Sequence, residues 1–193
     1  MTTKDLRRAG FPFRSGSLCL DFVATVAKRG MGDRELLEGP AELAIWLHVA
    51  GLPAVEGPVT AADMTAVWEL RETLHGMTRA RVAGKRLPRN AVAVVNAAAL
   101  AGPPPSLLAP DGESLRPPAA APLASVISIV ARDAVELFGG RYGHRIRACL
   151  GHDCSLYFVD RSRPGSRRWC AMAACGEKAS SATYRQRHTV RAR

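Results

Sequence analysis

The sequence predicts a mainly α-helical protein. An N-terminal helical bundle carries a small β-hairpin, and a small C-terminal treble- or ribbon-like module of two short strands and a helix gathers round a metal. Three observations lead there. Apolar residues recur at three- to four-residue spacing in several stretches between residues 18 and 138, punctuated by Gly and Pro. Four of the five cysteines sit near the C-terminus as two pairs, Cys149/Cys154 and Cys170/Cys175. Each pair encloses four residues, and fifteen separate the inner members. Charge is also divided: residues 141–193 hold twelve Lys/Arg against three Asp/Glu, net +9, which leaves +1 for residues 1–140. A boundary near Gly140–Gly143 follows, giving a body over 1–140 and a tail over 141–193.

The body reads in order. Residues 1–17 form an irregular arm with a short strand at Phe11–Phe13. Leu18, Phe22 and Val26, with Leu20 and Val23, predict a buried helix containing Cys19, an inert core thiol, and Asp21, a carboxylate that needs a cap or salt-bridge partner. Pro40 opens and Gly51 ends a helix over Ala41–Ala50, with Leu43, Trp46 and Leu47 on one face. Thr60 with Asp63 three residues on marks the start of the longest helix. Its stripe runs through Met64, Val67, Leu70, Leu74 and Met77 toward Val82, with Arg71 and His75 beside it as satisfied surface groups. Gly84 to Pro88 breaks that helix, and Arg89–Ala101 forms an alanine-rich one. Pro110–Asp111–Gly112 predicts the turn of a hairpin between Leu107–Leu108 and Ser114–Arg116. Leu123–Phe138 is strongly amphipathic and stops at Gly139–Gly140.

The paired cysteines suit a tetrahedral thiolate site, because each short loop delivers two sulfurs to one ion. Structural zinc fits best, being borderline-soft and redox-inert. An iron–sulfur cluster, a redox pair and unliganded thiols are the alternatives. The histidines His144, His152 and His188 are spare, since four sulfurs already complete the tetrahedron. A fifth, unpaired cysteine argues against a disulfide framework and for a reducing cytoplasm. No secretory signal is expected, and no apolar run is long enough for a membrane span.

The run Trp169–Cys170–Ala171–Met172–Ala173–Ala174–Cys175–Gly176, followed by a basic, alanine-containing segment, resembles the bacterial CGNR zinc finger. In that family the finger follows an N-terminal helical domain called ABATE, whose start Leu18–Cys19–Leu20–Asp21–Phe22–Val23–Ala24–Thr25 resembles. Two departures stand out: Glu177–Lys178 replaces the family's Asn–Arg, and Ala24 stands where Asn is common. The resemblance implies a transcription regulator whose helical domain senses a small molecule or stress.

Strands at Ile146–Ala148 and Leu156–Val159 should flank the first cysteine pair, and a helix should run from about Gly176 to His188, packing through Ala179, Ala182 and Gln186. Between them lies a basic loop, Arg161 to Arg168. Arg163, Arg167 and Arg168 are candidate phosphate binders, and Arg161 beside them is a further candidate to contact nucleic acid. On the helix, Lys178, Ser181, Tyr184, Arg185, Arg187 and His188 are candidates to contact nucleic acid, with Lys178, Ser181 and Arg185 reaching base edges in a major groove. Duplex DNA is the expected partner. RNA, stacked on Tyr157, Trp169 and Tyr184, is the alternative, as is a purely structural finger that binds protein. No enzyme is expected: no Ser–His–Asp or Cys–His set is recognisable, and a closed four-thiolate site leaves no position for a catalytic water.

Overall fold

The computed structural model describes residues 7–116, 118–178 and 180. It opens with a tight ribbon, β1 (Arg7–Arg8) against β2 (Phe11–Pro12). Helix α1 (Leu18–Val23) is buried on nearly all sides, and its end turns into a second ribbon, β3 (Val26–Ala27) with β4 (Arg34–Glu35). Helix α1 is thus shorter than its apolar pattern predicts. The apolar run records burial rather than helix length, and Thr25 ends it, its hydroxyl donating to Phe22 O at 2.7 Å.

Helix α2 (Pro40–Ala50) begins at its proline and ends at Gly51, whose φ of +76° is the left-handed conformation that favours glycine. Strand β5 (Ala54–Val55) follows, then the long α3 (Ala61–Val82), opened by a reciprocal capping box between Thr60 and Asp63. Helix α4 (Arg89–Leu100) leads to the expected hairpin, β6 (Leu107–Leu108) against β7 (Leu115–Arg116), its turn closed on Asp111. Strand β8 (Ala120–Ala121) then pairs in parallel with β5, a link the local pattern does not announce. Helix α5 (Leu123–Gly139) packs on α4 and α1, and α3 packs on both of these too. Strands β9 (Ile146–Ala148) and β10 (Tyr157–Val159) form an antiparallel ribbon lying against α3.

One large core joins these elements around Trp46, Phe22, Leu20, Leu74 and Val126, all essentially without exposure. Ile146 and Val159, from the predicted tail, belong to this same core. The backbone N–H of Val159 also donates to Ser15 O at 2.8 Å, and Arg161 Nη2 donates to Gly16 O at 3.1 Å. The tail is therefore stitched to the N-terminal arm, although its charge sets it apart.

Arg71 is not the surface group expected beside the α3 stripe; its side chain is 4% exposed. It donates through Nη1 and Nη2 to the two carboxylate oxygens of Glu35, both at 2.6 Å, and through Nε to Glu72 at 2.9 Å. Glu72 in turn accepts both Nη groups of Arg29 at 2.8 Å. Planar guanidinium forks match carboxylates two bonds at a time, which is how this charge is tolerated inside. Asp21 holds the arm: its Oδ1 accepts the backbone N–H groups of Arg14 at 3.1 Å and Ser15 at 2.9 Å.

Two outcomes are expected. Ile146→Ala should destabilise the helical body as well as the tail, by about 2–5 kcal/mol, seen as a lower helical unfolding midpoint in far-UV circular dichroism. Burial pushes the Asp21 carboxyl up to about 6, opposed by the Ser15 and Arg14 hydrogen bonds and reinforced by Asp133. The folded state thus holds a proton that the unfolded chain releases near its ordinary value of 3.8. Its contribution to stability falls as pH rises from about 4 through 6 and stays lost above that, by up to about 3 kcal/mol. Asp21→Asn, which keeps the acceptor oxygen, should flatten denaturant midpoints across that window.

Candidate metal centre and nucleic-acid interface

The β9–β10 ribbon carries the first cysteine pair at its open end. Cys149 N–H extends the ladder to Leu156 O at 2.9 Å, and Cys154 N–H closes the intervening turn on Gly151 O at 3.2 Å. Leu150 N–H to Arg168 O, at 3.0 Å, lashes this turn to the segment entering the second pair. There the chain makes a wide helical turn, Met172–Gly176, in which the N–H groups of Cys175 and Gly176 both donate to Ala171 O. Helical backbone thus begins at Met172, earlier than the expected Gly176, and it places Cys175 inside the turn.

These two turns bring all four sulfurs within 4.8 Å of one another. Cys154 Sγ lies 3.8 Å from Cys170 Sγ, which lies 3.7 Å from Cys175 Sγ. A zinc ion about 2.3 Å from each of four sulfurs would require tetrahedron edges of about 3.8 Å. The spacing and the donor set both fit structural zinc. Cys149 Sγ also accepts backbone N–H groups from Gly151 at 3.4 Å and Cys170 at 3.3 Å, as an anionic sulfur needs. Gly151 is required by closeness: a Cβ there would stand 2.8 Å from Cys175 Sγ and 3.2 Å from Cys154 Cβ.

Proton sharing shows what the cluster demands. Hydrogen bonds from the Cys154 and Cys170 thiols hold Cys149 far below the ordinary thiol range despite its burial. The same bond to Cys149 pushes Cys154 up to about 12, and bonds to Cys149 and Cys154 push Cys170 higher still. Thiols this close cannot all ionise unless a cation joins them.

The metal site rests on its own small core of Leu156, Phe158 and Trp169, closed on one side by Ala24 at the end of α1. Ala24, one of the two departures from the family pattern, is therefore a packing contact between the body and the cysteine cluster.

Asp160 organises the basic loop. It is fully buried, and its Oδ1 accepts Ser162 N–H and Oγ–H at 2.9 and 2.6 Å, while Oδ2 accepts Arg167 N–H at 2.9 Å. Burial alone would raise this carboxyl, but the Ser162 and Arg167 bonds and the nearby Arg145 hold it below the usual carboxylate range. Arg145 Nη1 donates to Ser162 O at 2.6 Å, completing the brace. Neither residue stood out in the sequence, although Asp160 two residues before a serine is the pattern of a side-chain-closed turn.

The loop arginines divide. Arg161 lies over the Tyr142 ring at 4.5 Å and bonds to Gly16, so it ties loop to body. Arg167 is exposed but bends back on the finger, with Nε donating to Trp169 O, Nη2 to Cys170 O, and its guanidinium over Phe158. Arg168 is exposed and stacks over Trp169 at 5.1 Å. Arg163 is exposed and makes no hydrogen bond or ion pair among the described residues. Lys178 is exposed. Ser181, Tyr184, Arg185, Arg187 and His188 lie outside the described residues, as does the helix expected to carry them.

A helical body bearing a four-cysteine zinc finger is the class of protein that fold and site define. The chain belongs to the ABATE family, described as "Putative stress-induced transcription regulator", whose profile matches residues 16–141. Residues 145–188 match the CGNR zinc finger. No curated protein sequence matches the chain.

One zinc per chain is expected by elemental mass spectrometry, and Cys170→Ala should abolish it. Because binding strips protons from thiols, zinc affinity measured by chelator competition should rise with pH. Gly151→Ala should weaken it by forcing Cys175 Sγ aside.

Proposed function

We propose that this protein is a DNA-binding transcription regulator in the cytoplasm, with the zinc finger as its contact surface and the helical body as the part that receives a signal. The observation that carries this reading is the pre-shaped basic loop beside a closed metal site. Buried Asp160 fixes its backbone, and Arg163 and Arg168 stand in solvent at its rim. A cationic surface held in one shape suits phosphate contact, which positions a protein on a duplex without reading sequence. Arg163 and Arg168 take that role. Arg161 and Arg167, though exposed, have their guanidinium groups committed to backbone carbonyls that brace the loop.

The reading of bases falls to Lys178, Ser181 and Arg185, with Tyr184, Arg187 and His188 beside them, if the chain beyond Lys178 continues as a helix into the major groove. Duplex DNA is favoured over RNA because two of the aromatic rings available for base stacking already have neighbours. Trp169 is half-buried on the cysteine core under Arg168, and Tyr157 lies 6.0 Å from the His75 ring. A catalytic role finds no support, since four sulfurs complete the zinc shell.

Salt titrations on duplex DNA test the proposal. Arg163→Ala and Arg168→Ala should each reduce the slope of log affinity against log salt by about one and weaken all duplexes alike. Arg185→Ala should cost about 1–3 kcal/mol on a preferred site, and less on random DNA. If neither loop variant changes the salt slope, the loop is not the phosphate contact.

A further inference from the structure

A groove of about 400 Å³ lies where the helical body meets the first cysteine turn. Its walls come from four places: Arg29 to Met31 in the β3–β4 turn, His75 and Arg79 on α3, Ala148 and Cys149 leaving β9, and Cys154 to Tyr157 entering β10. Its size is within the range of small-molecule sites. A larger hollow of about 510 Å³ beside α2 is lined by aliphatic groups and His48, with no convergent donors.

The groove at the junction differs in chemistry. The acids near it are already engaged: Glu72 is held by Arg29 and Arg71, Asp33 Oδ1 accepts Gly30 N–H at 2.6 Å, and the Cys149 and Cys154 sulfurs in its wall belong to the metal cluster. Its donors are not. Arg79 is exposed and makes no ion pair among the described residues, yet its charge acts on both His75 and Tyr157. Arg29 Nε–H is buried without an acceptor, and the Tyr157 hydroxyl makes no hydrogen bond among the described residues. His75 is held neutral, its pKa lowered to about 4 by burial and by Arg29, so its ring offers one N–H. Donors without acceptors, beside the tilted His75–Tyr157 ring pair and Met31, describe a partner that is acidic at one end and apolar at the other.

We propose that this groove binds a small organic oxyanion, a carboxylate or a phosphate ester, with its acidic head on Arg79 and Tyr157 and its apolar body over Met31 and the ring pair. This rests on the reading of the body as the receiver of a signal, and it names the site. The position suits that role. Arg29 N–H donates to Ser155 Oγ at 3.0 Å, so the groove's floor joins the body to the residue that follows ligand Cys154. An anion drawn between Arg79 and the β10 strand pulls on both halves at once.

Binding is tested without DNA, so its failure is separable from failure of the DNA reading. The zinc-loaded full chain is titrated with benzoate, phenyl phosphate and benzyl alcohol, followed by amide chemical shifts and calorimetry. Saturable binding of benzoate or phenyl phosphate below about 10 mM is expected, with benzyl alcohol weaker by about tenfold or more. The preferred anion tells which head group the groove takes. Arg79→Ala should weaken binding about tenfold and Tyr157→Phe several-fold, while zinc content and helicity stay unchanged. Arg163→Ala should leave binding intact. No saturable binding of either anion, equal binding by Arg79→Ala, or loss on Arg163→Ala would overturn the assignment.

Discussion

Four sulfur atoms held within 4.8 Å of one another set the condition on which the C-terminal finger of this fold depends. So small a segment cannot bury enough apolar surface to order itself, and thiols at such range share protons instead of ionising together. A dication removes both difficulties, and zinc ligation in comparable peptides is worth roughly 10–16 kcal/mol of folding free energy. Much of the rest follows from closing that site. Gly151 must lack a side chain, Leu150 must bond to Arg168, and Arg167 must bend back to cap Cys170. The basic loop is shaped by the metal centre on one side and by Asp160 on the other.

The body and the finger are less separate than their charges imply. Ala24 closes the sulfur cluster, Ile146 and Val159 enter the main core, and Ser15 extends the β10 edge. Charge partition reports only where basic side chains sit on the surface. It carries no information about where cores divide, because surface charge and interior packing are chosen by different residues. The boundary expected near Gly140–Gly143 falls between the two family matches, and Ile146 and Val159 pack across it.

What the sequence revealed was local. The Thr60–Asp63 capping box, the Pro40 and Gly51 ends of α2, the Asp111 turn and the four-cysteine spacing each depend on residues a few positions apart, and each appears where expected. What it hid was distant. Arg71 looked like a surface group because Glu35, which neutralises it, lies 36 residues away with no pattern joining them. The β5–β8 pairing joins two-residue strands separated by the whole of α3, α4 and the hairpin. Among the site residues, Arg161, Arg163, Arg167 and Arg168 read alike in the sequence. All four are exposed, and only their neighbours distinguish Arg161 and Arg167, which also brace the loop, from Arg163 and Arg168, which do not.

The bond from Val159 to Ser15 spans 144 residues, nearly the full length described. A chain made from its N-terminus exposes the arm, α1 and the face of α3 long before the strand that covers them exists. At ordinary synthesis rates of roughly 5–20 residues per second, that interval lasts on the order of ten seconds. Leu20, Phe22 and Leu74 must wait through it with part of their eventual shelter missing. The later-made strand is thus the lid on the earlier segment, and metal scarcity during synthesis would leave the older part of the chain unguarded along with the newer.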